Sequence, residues 1–324
     1  MNFKKLLITI TMMAAAAAGF AKTKIVTTIF PEYDWTREIL GSNIKDAELT
    51  LLIGNGIDLH SYQPSIQDIA KISTADIFIY VGGESDDWVE DALENAKNKN
   101  MKVINLMEVL GDKVKEEEFI EGMQAEEEHE HVHHDGDHHS SNEEEVEYDE
   151  HVWLSVRNAK ILCGEICNAL CEVDSKNAAA YRENCKAYSA KLDKLDSDFT
   201  AVVKNGKTNT LLFGDRFPFR YFVDDYDLKY YAAFAGCSAE TEASFETIVF
   251  LANKVDELGL NNVCQIESGN GKIAKTIIQS SKKKNAKILT FDSLQSTTTK
   301  DVKKGITYLS VMQKNLEILK EALK

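Results

Sequence analysis

The sequence predicts an α/β protein of two doubly wound parallel-sheet lobes linked by a long rigid helix. Short apolar, β-branched runs alternate with helix-forming segments between residues 24 and 106, and the alternation returns between residues 210 and 324. That is the pattern of parallel strands joined by crossover helices. Between the two regions, residues 178–204 contain neither Gly nor Pro and space their apolar side chains near 3.6. At 1.5 Å per residue such a helix is about 40 Å long, the diameter of a small domain. Finally, roughly 300 residues beyond the N-terminal leader exceed the usual size of a single core, which favours two domains.

In the first lobe, residues 22–154, KIVTTIF reads as a strand bounded by Pro31, and DWTREIL as a helix. LTLLIG is a second strand, SIQDIAKIS a helix, and DIFIYVGG a third strand closed by Gly82 and Gly83. DDWVEDALENAKNKN then predicts a helix and KVINL a fourth strand. Residues 155–204 form a linking helical region: SVRNAKILCGEICNALCEV, the break DSKN, and the long segment that serves as a spine. In the second lobe, residues 205–324, TLLFG, LKYYAAF, NVCQIES and KILTFDSL predict strands. FRYFVDDY, SFETIVFLANKVDELG, GKIAKTIIQSSKKKN and the amphipathic C-terminal segment predict helices.

Residues 1–21 carry Lys4 and Lys5, an apolar run from Leu6 to about Ala18, and small residues at Gly19 and Ala21. This is the three-part pattern of a secretory signal peptide, too short for a comfortable membrane span. No cysteine stands at the expected cleavage point, so a soluble periplasmic monomer without a lipid anchor is expected, and no later stretch is long and apolar enough to span a bilayer. The formal charge of −16 is matched by sixteen Asp and Glu between residues 116 and 150, a stretch free of Lys and Arg. The remainder is near neutral and lacks a basic patch, which argues against nucleic acid as a partner. Six cysteines occur with no CxxC pair, and Cys163, Cys167 and Cys171 recur every four residues. That spacing stacks them on one helical stripe as small core residues. One disulfide is compatible with an oxidising compartment, with pairing left open.

The densest chemical signal is EEEHEHVHHDGDHHSSNEEEVEYDEH, residues 126–151, which holds seven of the eight histidines. Imidazole is the common side-chain ligand for zinc and its neighbours, so His129, His131, His133, His134, His138 and His139 are read as auxiliary, weak metal ligands. Low apolar content and like-charge repulsion predict an unfolded loop over 116–150. His60, in GNGIDLHSYQPS, lies past the second strand, on the sheet edge that faces the ligand crevice in open parallel sheets. His151, in YDEHVWLS, stands where apolar order resumes. Asp58 and Asp149 are candidates to hold these two histidines from behind.

GIDLHSYQPSIQDIAKISTADIFIYVGG, DEHVWLSVRNAKI with YRENCKAYSAKLDKLD, and FDSLQ with YLSVMQKNLEILKEAL together resemble the zinc and manganese substrate-binding proteins of bacterial ABC importers. The resemblance covers nearly all of the mature chain and implies two lobes joined by a rigid helix. It also implies a metal site at His60, His151 and Asp292, and a membrane permease as partner. The third ligand departs from the family pattern, for FGDRFPFRYF replaces a His or Glu ahead of an aromatic-rich helix. Ungapped counting from Tyr221 lands on Arg216, which cannot bind a cation. Asp215 is therefore favoured with one residue inserted near Pro218, and Glu267 is the reserve.

Two imidazoles and two carboxylates suit tetrahedral Zn²⁺ and are tolerated by Mn²⁺. The expected function is capture of Zn²⁺ for ABC import, with manganese capture or a zinc-dependent hydrolase as alternatives. A catalytic zinc keeps an open position beside a general base, and the one HExxH match, HEHVH at residues 129–133, falls inside the acidic tract and not on a predicted helix. No enzymatic activity is expected.

Overall fold

The computed structural model describes residues 22–124, 147–238 and 242–324. Both the leader and the histidines at 129–139 lie outside the described residues. The first lobe contains β1 (Thr23–Thr27), α1 (Phe30–Leu40), β2 (Ala47–Leu51), α2 (Ile66–Ser73), β3 (Ile77–Tyr80), α3 (Trp88–Glu94), β4 (Lys102–Asn105) and α4 (Leu106–Leu110). Two long helices follow, α5 (Val156–Val173) and α6 (Ala178–Lys204). The second lobe contains β5 (Thr210–Arg216), α7 (Arg220–Asp225), β6 (Lys229–Phe234), α8 (Phe245–Glu257) and β7 (Asn262–Ile266). It ends with α9 (Lys272–Ser280), β8 (Lys287–Phe291), α10 (Thr299–Lys303) and α11 (Tyr308–Ala322).

The strand orders are β2-β1-β3-β4 and β6-β5-β7-β8. All pairings within the two sheets are parallel, so each lobe repeats one winding. The chain reverses its direction of winding beside β1 and β5, and ligands of such sheets bind at the C-terminal strand edge near that reversal. Buried β-branched side chains such as Ile25, Val26, Ile77 and Ile79 explain the sheet interior, since a parallel sheet covered on both faces reads as continuous apolar runs.

All eight expected strands form, and the expected spine is a single 27-residue helix. Helix α5 packs on α1, α4, β3 and β4 as well as on α6, so it covers the first sheet, whereas the sequence placed it with the linker. Helix α3 is shorter than predicted because Lys97 and Asn98 donate their N–H groups to Ser73 O instead of continuing the helix. The short helices α4 and α10 escaped prediction; their N-caps are Asn105, accepting from Glu108 N, and Thr298, accepting from Asp301 N. Six free thiols are present, with Cys163, Cys167, Cys171 and Cys264 buried.

One apolar core runs through both lobes and the spine, including Trp35, Trp153, Tyr181, Tyr188, Phe213 and Tyr308. Polar ties cross it. Trp153 Nε1 donates to Ser293 O at 2.9 Å, Tyr308 OH to Trp153 O at 2.8 Å, and Tyr308 N to Asp34 Oδ2 at 2.7 Å. At the rim, Thr299 N donates to Gly54 O at 2.7 Å. These links join the lobes at depth and fix the cleft between their C-terminal strand edges.

Candidate metal centre

The two framework histidines meet in the cleft. His60 leaves the first sheet in a short helical turn after β2, where Asp58 Oδ1 accepts from His60 N at 3.2 Å. His151 is delivered differently. Asp149 N donates to Lys115 O at 2.9 Å and Glu117 N to Glu147 O at 2.9 Å, around an antiparallel bridge between Glu116 and Tyr148. The expectation of an unfolded loop over 116–150 therefore does not extend to its stems, because these ladder bonds and the Gln124 N bond to Ala233 O hold them. Immediately afterwards Val152, Trp153 and Leu154 are fully buried, so His151 enters the protein with no exposed surface.

His60 Nε2 and His151 Nε2 lie 3.2 Å apart. Behind them, His151 Nδ1 faces Asp149 Oδ1 at 3.0 Å, while His60 Nδ1 faces Ser85 Oγ at 2.8 Å and Glu150 Oε2 at 3.3 Å. A ring nitrogen turned to a carboxylate carries the proton, which leaves the opposite nitrogen as a bare lone pair. Two such lone pairs repel at this distance unless a cation lies between them. Two nitrogens bound tetrahedrally to zinc at about 2.0–2.1 Å are themselves about 3.3 Å apart. The pair is thus already spaced as two donors to one ion.

The groups behind the rings were only half foreseen. Asp149 holds His151 as expected, but Asp58 lies 3.9 Å from His60 Nε2 and instead pairs at 2.7 Å with Arg216 of the second lobe. Burial opposes the charge on Asp58, and the Arg216 guanidinium more than offsets it, holding the carboxyl below its usual range. Glu150 takes the place behind His60. Its carboxylate also accepts from Ser85 N at 2.8 Å, and a side chain at Gly83 would strike it, for a β-carbon there meets Glu150 Oε1 at 2.5 Å. Burial lowers the affinity of His60 for a proton, but Glu150 and Asp58 outweigh it and raise its pKa.

The second lobe presents Asp215 at the end of β5, Glu267 after β7 and Asp292 after β8. A register shift in the β5–β6 pairing lies between Phe213 and Arg216, so the strand is irregular where it carries Asp215. Asp215 accepts from Arg216 N at 2.9 Å and Ile266 N at 3.2 Å, and lines a cavity of about 260 Å³ with Asp58 and Ser61. Glu267 is bound by four donors, Ser293 N and Oγ and Ser296 N and Oγ, and so braces the loop after β8. Asp292 Oδ1 accepts from Leu294 N at 2.9 Å. Burial, with the charge of Glu267 behind it, pushes Asp292 up to about 6 and also raises Asp215. No hydrogen bond joins either aspartate to the imidazoles among the described residues.

Two further groups reach the imidazoles. The Gln295 side-chain amide spans the space between Asp58 and His151, one end beside Asp58 at 2.9 Å and the other 3.1 Å from His151 Nε2. Cys237, from the loop after β6, has its sulfur within 4.8 Å of the imidazole donor atoms. Neither residue sits in a motif with ligand spacing, so only the folded loop identifies it.

This constellation can hold one divalent cation at the cleft between two lobes. The class so defined is the two-lobed, metal-binding substrate-binding protein with a rigid connecting helix. More narrowly, the chain belongs to the ZnuA family, whose model, described as zinc-uptake complex component A, periplasmic, matches residues 25–322. The zinc-binding lipoprotein AdcA of Streptococcus pneumoniae R6 is 32% identical over 300 residues, covering 93% of this chain and 56% of the relative. The high-affinity zinc uptake system protein ZnuA of Bacillus subtilis is 28% identical over 303 residues, covering 93% and 88%. The chain thus spans about half the length of the streptococcal relatives it matches. Among solved structures, the Zn(II)-bound ZnuA-like domain of S. pneumoniae AdcA superposes with a TM-score of 0.68 at 27% identity, covering 93% of this chain and 99% of that one. The metal-dependent lipoprotein YcdH of B. subtilis gives 0.72 at 25% identity, covering 94% and 100%.

Proposed function

We propose that the protein captures Zn²⁺ in the cleft between its lobes and presents it to the membrane permease of an ABC importer. The observation that carries this reading is the facing of two Nε2 lone pairs at 3.2 Å, each ring backed by a buried carboxylate. His60 and His151 supply the nitrogen donors, and the second lobe closes the coordination sphere, with Asp292 and Asp215 as its carboxylates. The family model is a transport component, which supports a binding role over an enzymatic one. Its periplasmic description supports export under the leader at residues 1–21, and no described helix is long and apolar enough to cross a membrane.

The six histidines His129, His131, His133, His134, His138 and His139 collect further ions weakly, since their tract lies between stems anchored beside the cleft. The protein acts as a monomer in this scheme. Competitive titration of the metal-free chain with Zn²⁺ and Mn²⁺ tests the reading. One tight zinc equivalent is expected, and a site that prefers manganese, or none at all, overturns it.

A further inference from the structure

We infer that Cys237 is the sulfur donor through which the second lobe binds the ion and selects zinc over manganese, an inference that rests on the metal-capture reading above. The loop after β6 is built to hold this residue against the histidines. A β-carbon at Gly236 would lie 3.1 Å from both Cε1 and Nδ1 of His151 and 3.0 Å from Phe217 O, so the loop passes so close that a side chain there would press on the imidazole. Cys237 N donates to Glu117 Oε1 at 3.0 Å, which ties the loop to the stem paired with the one that leads into His151. The side chain is half-buried and lines, with His60, Ser85 and Glu150, a cleft of about 280 Å³.

Zinc–sulfur and zinc–nitrogen bonds of about 2.3 and 2.0–2.1 Å place tetrahedral donors about 3.6 Å apart. Each histidine has a ring nitrogen within 4.8 Å of the sulfur, so reaching that spacing takes a shift on the order of 1 Å, within the reach of a χ1 adjustment. By contrast, Asp215 is committed to two backbone amides beside Arg216. As the sulfur–metal bond forms, the thiol proton passes to solvent. With Cys237 in the place of Asp215, one thiolate, the Asp292 carboxylate and two neutral imidazoles leave the occupied site neutral, with Asp149 and Glu150 directly behind the rings. Thiolate favours zinc, whereas manganese favours oxygen donors, so this residue sets the discrimination.

X-ray absorption of the zinc-loaded full chain at one equivalent reads the donor directly and requires no variant. A scattering shell near 2.3 Å marks one sulfur beside nitrogen or oxygen at about 2.0–2.2 Å. With Co²⁺ as probe, a thiolate-to-metal charge-transfer band is expected in the wild type and in Cys185→Ser, and is lost in Cys237→Ser. Zinc affinity should fall in Cys237→Ser by more than about 100-fold, beyond the 10–100-fold typical of residues that only orient ligands, while Mn²⁺ affinity barely changes. If one tight equivalent binds and depends on His60 and His151 but shows no sulfur, the inference is wrong and metal capture stands. A sulfur signal surviving in Cys237→Ser also overturns it. If no tight equivalent binds, metal capture and this inference fall together.

Discussion

Asp149 offers the sharpest test of how the site is held. It is buried and accepts from His151 twice, from the backbone N–H at 2.8 Å and from ring Nδ1 at 3.0 Å. Asp149→Asn preserves shape and one acceptor oxygen but removes the charge. The carboxylate lies about 7 Å from an ion held on Nε2. At an effective dielectric near 20, its attraction for a divalent ion is about 5 kcal/mol, which is a ceiling. Residues behind metal ligands typically contribute 10–100-fold in affinity, or about 1.4–2.8 kcal/mol, and Asp149→Asn should fall in that range. Competition against a chromophoric zinc chelator measures it, with urea unfolding of the metal-free chain as the control. Unchanged affinity in a variant of unchanged metal-free stability would refute the claim that Asp149 orients and polarises His151.

His60→Ala and His151→Ala should each lower zinc affinity by orders of magnitude while the fold persists, as read by calorimetry on chains lacking residues 126–147. Removing those residues alone should leave one tight equivalent and abolish weaker ones; equilibrium dialysis showing loss of the tight ion would mean that the tract builds the site. Zinc must displace the proton of His60, and because the His60 pKa is raised above its usual 6.5, affinity should begin to fall above that pH and decline further toward pH 5. A flat titration across that window contradicts imidazole ligation. The 27-residue α6 and the core shared by both lobes resist wide hinge closure. Small-angle scattering of the tract-deleted chain should therefore show nearly equal radii of gyration with and without zinc, and a change of several ångströms would overturn the rigid spine.

Strands, spine and the two histidines were legible because each rests on local pattern. Period and β-branching mark Ile25–Thr27 or Ile77–Tyr80 as strand, the lack of Gly and Pro marks residues 178–204 as helix, and His60 and His151 stand out where other histidines are confined to one tract. What the sequence by itself determined was two parallel lobes, a rigid link and a metal-seeking chemistry. Tertiary structure alone decided which groups surround the ion. The partner behind His60 is Glu150, 90 positions away, because the β3 exit loop wraps that carboxylate through Ser85. Asp58, adjacent in sequence, is drawn off by Arg216 at a separation of 158 residues. Cys237 and Gln295 approach only because the second sheet repeats the winding of the first and turns its own C-terminal strand edge to the same cleft. Local propensity acts over a few residues, whereas a coordination sphere is assembled by contacts closed over a hundred or more, and no spacing in the chain records them.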